Sequence, residues 1–191
     1  MFKLSTIFFL LFSSLNLYAT QSGLYVELEA GLGSLDKLET PTTNFTYNRA
    51  YCASAALGYQ LRNYRIELQT KRKTGSLYSY NNISRDGEIL QTSNMLNAYY
   101  SKYNQSKLVT TVGFGAGVSS IELNEMKHFS VTQPNIKESS ILSAQAMFSV
   151  GYMINRHLTL STKYSYFYIN SSENFKANTE SLFSLSIRYI F

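Results

Sequence analysis

Beyond residue 23, apolar and polar side chains alternate with period two in eight separate stretches, which predicts eight β-strands with two unlike faces each. In the first, Leu24, Val26, Leu28, Ala30 and Leu32 oppose Tyr25, Glu27, Glu29, Gly31 and Gly33. The second sets Tyr51, Ala53, Ala55, Leu57, Tyr59 and Leu61 against Cys52, Ser54, Ala56, Gly58 and Gln60; the third sets Tyr64, Ile66, Leu68 and Thr70 against Arg65, Glu67, Gln69 and Lys71. The fourth, the least regular, opposes Leu96, Ala98 and Tyr100 to Asn97, Tyr99 and Ser101. In the fifth, Leu108, Thr110, Val112, Phe114, Ala116 and Val118 face away from Thr111, Gly113, Gly115, Gly117 and Ser119. The sixth places Leu142, Ala144, Ala146, Phe148, Val150 and Tyr152 opposite Ser143, Gln145, Met147, Ser149 and Gly151. The seventh opposes Leu158, Leu160, Thr162, Tyr164, Tyr166 and Tyr168 to Ser161, Lys163 and Ser165, and the eighth Phe183, Leu185, Ile187, Tyr189 and Phe191 to Ser184, Ser186 and Arg188.

What each face contains decides the solvent. A water-soluble barrel buries its aliphatic face and covers the other with long charged side chains. Here the polar face is mostly Gly, Ser and Ala with a few charges of both signs. Such a face fits the interior of a closed eight-stranded sheet, which is just wide enough for side chains to fill. The apolar face then looks into hydrocarbon, where closure satisfies every backbone group. The expected fold is all-β: an eight-stranded antiparallel up-and-down transmembrane β-barrel. Three connections are short (Leu61 to Tyr64, about Lys102 to Lys107, Ile154 to His157), and four are long (about Ser34 to Asn48, Lys73 to Ile89, Ser120 to Ser140, Ile169 to Thr179). Short turns face the periplasm in outer-membrane barrels. Tyr59, Tyr100, Tyr152, Tyr189 and Phe191 are expected in a periplasmic aromatic belt, and Tyr51, Tyr166, Tyr168 and Phe183 in an upper one.

Residues 1–19 carry one cation, Lys3, an apolar run near Ile7–Leu15 and a small residue, Ala19, before a polar stretch, the pattern of a cleaved signal peptide. The domain boundaries expected are 1–19 for the leader and 20–191 for the barrel. Cys52 is the one cysteine, so no disulfide framework forms within the chain. A formal charge of +5, spread thinly, is too dilute and scattered to make nucleic-acid binding a natural first reading, and no nucleic-acid partner is expected. A monomer is expected.

With its strands placed, the chain resembles the eight-stranded outer-membrane β-barrel family that includes the opacity-type surface proteins and the OmpA transmembrane domain. The resemblance is carried by Gly23-Leu24-Tyr25-Val26, by Leu96-Asn97-Ala98-Tyr99-Tyr100, by the glycine-alternating Val112–Val118 and by a last strand ending Tyr189-Ile190-Phe191. It implies that Phe183, Leu185, Ile187, Tyr189 and Phe191 act as an assembly signal read by the barrel-assembly machinery, with periplasmic chaperones as partners during biogenesis. Ser165 departs from the family, many of whose members place an inward arginine there. The chain stops at Phe191, so the peptidoglycan-binding domain attached to OmpA is expected to be absent.

Candidate chemistry is sparse. Glu27, Glu29 and Glu67 face Arg65, Lys71, Lys163 and Arg188 inside the expected lumen, with Glu27 and Arg188 as an expected pair. These charges read either as a mutually neutralising plug or as a gated ion path. His128-Phe129-Ser130 has the His-x-Ser form of outer-membrane lipid A deacylases, but Val131 follows where that element has asparagine, and the segment reads as a loop. His157-Leu158-Thr159 has the wrong hydroxyl. Two histidines and one cysteine, dispersed, give no metal-ligand spacing, and no cofactor is implied. The glycines at 113, 115 and 117 alternate in a strand instead of opening a helix, so they cradle no phosphate. Lys71-Arg72-Lys73, where a strand leaves the membrane, is a candidate contact for lipopolysaccharide phosphates. The reading is a non-enzymatic outer-membrane barrel displaying four surface loops, with host contact, lipid A modification and a narrow channel as alternatives.

Overall fold

The computed structural model describes the backbone of residues 22–35, 38–39, 44–80, 83–84, 86–128, 131–132, 136–172 and 176–191, and the side chains among them outside 34–49, 76–87 and 123–136. In chain order the strands are β1 (Gly23–Leu35), the two-residue β2 (Leu38–Glu39), β3 (Asn44–Leu61), β4 (Tyr64–Tyr80), the two-residue β5 (Ile83–Ser84), β6 (Asp86–Tyr103), β7 (Leu108–His128), the two-residue β8 (Val131–Thr132), β9 (Ile136–Met153), β10 (Leu158–Ile169) and β11 (Asn178–Ile190). Eight of them form the wall. Each pairs antiparallel with its neighbour in sequence, and β1 closes on β11. The three short strands are arms on β3, β4 and β7.

Cross-strand partners walked once around the wall run Tyr25, Gly58, Glu67, Asn97, Gly115, Gln145, Phe167, Glu180 and return to β1 at Leu35, ten positions above the start. That stagger tilts the strands and sets which inward side chains meet across the lumen.

Alternation of exposure follows the sequence pattern. On β1, Leu24, Leu28 and Leu32 are exposed while Tyr25, Glu27 and Glu29 are buried. Phe114, at 72% exposure, and Leu68, at 68%, would be anomalous in water and are ordinary against lipid chains. The expected belts take shape at the two edges of this apolar surface. Tyr59, Tyr152, Tyr189 and Phe191 are exposed at the short-turn end, where Tyr64 joins them, its ring 5.4 Å from that of Tyr100. Tyr51, Tyr166, Tyr168 and Phe183 are exposed on the same outer surface.

Three of the four connections expected to be long loops are largely strand. β4 continues to Tyr80, β6 starts at Asp86, β7 runs to His128 and β9 begins at Ile136, so pairs such as Ser76↔Glu88 and Glu122↔Lys137 extend the ladder. Past the bilayer both faces of a ribbon meet water. The apolar–polar contrast that marks a strand in sequence disappears there, although backbone pairing continues.

Placing a charge on the outer belt separates a membrane barrel from a soluble one. Phe114→Arg is expected to lower unfolding stability in lipid vesicles by about 2–4 kcal/mol, measured from urea titrations of the refolded protein. A change within about 0.5 kcal/mol, the usual effect of a surface substitution in water, would contradict the lipid-facing assignment.

Candidate functional site

The inward face is a filled polar core. Glu67 on β4 lies at its centre. Its carboxylate accepts hydrogen bonds from the Tyr25 hydroxyl (2.8 Å), the Tyr99 hydroxyl (2.6 Å) and Asn97 Nδ2 (3.0 Å). Two glycines make this possible. Tyr25 is paired with Gly58 and Tyr99 with Gly113, and each ring lies back over its glycine. A Cβ at Gly58 would come within 2.5 Å of the Tyr25 hydroxyl, and one at Gly113 within 2.2 Å of the Tyr99 ring. The guanidinium of Arg65 sits between the two tyrosines, 4.5 Å from the Tyr99 centroid and 5.4 Å from that of Tyr25, a cation–π arrangement on both sides.

Glu27 gathers the cations. Lys163 Nζ donates to it at 2.6 Å, Arg65 at 3.2 Å, and Arg188 lies 4.0 Å away. Glu27 and Arg188 do stand opposite each other in the closing pair of strands, but Lys163 is the nearer partner. Lys163 also donates to Glu29 (3.0 Å), which accepts from Ser184, Ser54 and Gln69 and has Lys71 at 4.0 Å. An amide layer joins these charges to the far wall. Gln145 donates to Asn97 (2.7 Å) and Gln69 (3.1 Å), and Lys71 donates to Gln145 (3.2 Å).

The lumen is therefore wired differently from a set of simple acid–base pairs. Six of the seven expected members, Glu27, Glu29, Arg65, Lys71, Lys163 and Arg188, come together through carboxylates and cations, whereas the closest partners of Glu67 are two tyrosines and an asparagine. Ser165 is fully buried with no hydrogen-bond partner for its hydroxyl among the described residues, and the cation on β10 is Lys163, one inward position lower.

Two features escaped the sequence pattern. Lys73 and Glu180 form a buried ion pair between β4 and β11, beside a pocket of about 20 Å³ that Phe167, Gln91 and Leu182 help to line, room for about one water molecule. Toward the same end, Ile89, Ile121, Ile141 and Ile169 are buried and cap the polar core with apolar side chains. Tyr103, Val109 and Ile190 do the same at the short-turn end.

The cluster Lys71-Arg72-Lys73 does not act as one patch. Strand pleating turns Lys71 and Lys73 into the lumen, at 5% and 6% exposure, and leaves Arg72 alone on the outer surface. His128 ends β7, so the His-x-Ser segment begins on a strand tip instead of in a loop; Phe129 and Ser130 lie outside the described residues, as does the leader at 1–19. His157 is at the rim, its ring stacked 5.8 Å from that of Tyr189, while Thr159 is buried in the lumen. Cys52 is buried on the inward face. No group of metal-ligating residues occurs among the described residues.

Breaking the charge network at its most connected cation is expected to be costly. Lys163→Met leaves Glu27 and Glu29 without their nearest cation and should destabilise the barrel by about 3–5 kcal/mol, read from denaturant unfolding in micelles. Adding Glu29→Gln should recover part of that loss. An unchanged midpoint for Lys163→Met would show that the buried charges are solvated by a water-filled lumen.

No family model matches the chain, and no curated protein matches its sequence. Solved structures do match its fold. Neisserial surface protein A superposes with a TM-score of 0.67 at 17% identity, covering 89% of this chain and 98% of that one. Ail, the attachment invasion locus protein of Yersinia pestis, solved with the heparin analogue sucrose octasulfate, gives 0.52 at 11% identity, covering 90% and 100%. The outer membrane protein AlkL, solved in lipid bilayers, gives 0.51 at 11%, covering 94% and 95%. Near-complete coverage in both directions, together with the closed wall and its apolar belt, shows that this chain folds as an eight-stranded antiparallel closed β-barrel, the fold of those outer-membrane proteins.

Proposed function

We propose that the chain, freed of a leader at residues 1–19, is a non-enzymatic integral protein of a Gram-negative outer membrane. It supports the envelope and holds strand ribbons above the cell surface, where contact with a host surface ligand is the sharper form of the reading. One observation carries it. A transmembrane β-strand needs about 9–11 residues, and β3, β4, β6, β7 and β9 have 18, 17, 18, 21 and 18. Their lower ends meet in tight turns, so the surplus projects from the opposite end, on a rigid scaffold suited to recognition.

The packed lumen supports the non-channel reading, since Asn97, Glu67 and Lys163 are each no more than 2% exposed. Within the same proposal, the lumen charges serve as a neutralising plug, Arg72 is the member of its cluster able to meet lipopolysaccharide, and the outward row Phe183, Leu185, Ile187, Tyr189 and Phe191 on the last strand and just beyond it is the surface offered to the assembly machinery.

Shortening the ribbons at 76–88 and 122–138 to tight turns tests it. Both variants should keep the boiling-dependent shift in gel mobility that marks a closed barrel, while bacteria expressing them lose attachment to host cells or matrix. Unchanged attachment with both ribbons removed would overturn the host-contact form. Unit conductance in planar bilayers, or lipid A processing that disappears in His128→Ala, would replace the display reading with the channel or the enzyme.

A further inference from the structure

The short-turn end carries a charge pattern that neither lumen nor ribbons explain. Its three connections, at residues 61–64, 102–107 and 154–157, contain Arg62, Lys102, Lys107 and Arg156 but none of the chain's twelve Asp and Glu residues. Arg62, Lys107 and Arg156 are exposed. Hydrogen bonds tie these turns into a ring: Arg62 N donates to Ser22 Oγ (3.2 Å), Ser101 N to the Asn63 carbonyl (2.7 Å), Met153 N to that of Lys107 (2.9 Å), Ile190 N to that of His157 (2.8 Å) and Phe191 N to that of Leu24 (3.0 Å). The cations therefore stand on neighbouring turns of one continuous rim.

Two of them occupy backbone positions better suited to other residues. Arg62 has φ 53° and Lys107 φ 63°, in the left-handed region that glycine and asparagine enter most readily. Arg62 is the first of two central residues in the Leu61–Tyr64 hairpin and, with positive φ there alone, has the place that glycine takes in a type II′ turn. Keeping a long cation at such a site is conformationally unfavourable, which points to a use for its charge. Beside the rim, on the lipid-facing wall, Tyr59, Tyr64, Tyr152 and Tyr189 are exposed, as tyrosines are at a membrane boundary. The cations thus sit at headgroup height.

We propose that this rim binds the phosphates of anionic phospholipids in the periplasmic leaflet, with Arg62, Lys107 and Arg156 as its contacts. The proposal rests on reading the chain as an outer-membrane barrel with its short turns in the periplasm. Each guanidinium or ammonium donates charge-assisted hydrogen bonds to a phosphate, and the cations of the three turns together enrich anionic lipid around the rim. Salt weakens the attraction because the groups are exposed.

The test uses the refolded full chain in phosphatidylcholine vesicles containing spin-labelled phosphatidylglycerol or spin-labelled phosphatidylcholine, with the protein-associated fraction read from the spectrum. Phosphatidylglycerol should be preferred about threefold. The combined Arg62→Gln, Lys107→Gln, Arg156→Gln variant and added salt should each bring the preference close to parity, whereas Lys137→Gln, Lys176→Gln at the other end should leave it intact. Arg62→Gly alone should raise stability toward urea while weakening the preference, a combination that a purely structural role does not give. A preference that survives in the rim variant, or is lost only in the outer-end variant, overturns the proposal. Rim-dependent cosedimentation with purified peptidoglycan, without lipid preference, assigns the surface to the wall polymer instead. A wild-type chain showing no boiling-dependent gel shift would defeat the barrel reading itself, and an epitope inserted at 104–106 that is detected on intact cells would reverse the orientation; both results are separate from the lipid measurement.

Discussion

Closure of β1 onto β11 is the constraint on which the rest depends. Eleven residue pairs join the two strands, from Tyr25↔Ile190 to Leu35↔Glu180. In hydrocarbon an open edge would leave a row of amides and carbonyls with nothing to bond, at several kcal/mol each. The same closure carries Arg188 to Glu27 and Ser184 to Glu29, and brings β10 near enough for Lys163 to reach both carboxylates. Wall and filling are one construction: the backbone cannot close unless the inward side chains fit, and Glu27 and Glu29 meet Lys163, Arg188 and Ser184 only when it closes.

Fit is arranged by pairing large inward residues with glycine across the strand boundary. Tyr25 over Gly58 and Tyr99 over Gly113 let two phenols converge on Glu67 while Arg65 fills the space between their rings. Buried ions carry a desolvation penalty that attraction offsets only when geometry is good and remaining lone pairs are satisfied. The amide layer of Asn97, Gln69 and Gln145 supplies further hydrogen bonds, Asn97 to Glu67 and Gln69 to Glu29, and the apolar caps above and below keep water from competing. The outcome is a filled, closed wall with long strand ribbons at one end and a compact basic rim at the other.

Most of the wall was legible in the sequence, because a membrane barrel writes its two solvents directly into the alternation: Leu28, Leu57 and Phe114 outward, Glu29, Ala56 and Gly113 inward. The lumen charges were legible for the same reason. What the alternation could not convey was contact across the lumen, since that depends on the ten-position stagger, and nothing in the sequence states that Glu67 meets Tyr25 and Tyr99 before any cation. The isoleucine cap and the Lys73–Glu180 pair were hidden because they lie where the outward face turns polar and the strand signal fades. The division of Lys71-Arg72-Lys73 follows from pleating alone, since neighbours in a strand's sequence point to opposite faces.

The central claim is that the apolar face meets lipid and the polar face fills the interior. The chain has no tryptophan, so a single introduced indole reports its own surroundings without background. Phe114→Trp and Phe167→Trp, at exposures of 72% and 3%, place that reporter outside and inside the wall respectively. Refolded into vesicles of brominated phosphatidylcholine, the first should be strongly quenched and the second scarcely at all. Quenching of the second with sparing of the first would mean that the two faces are reversed, and the account of both membrane wall and lumen would be wrong.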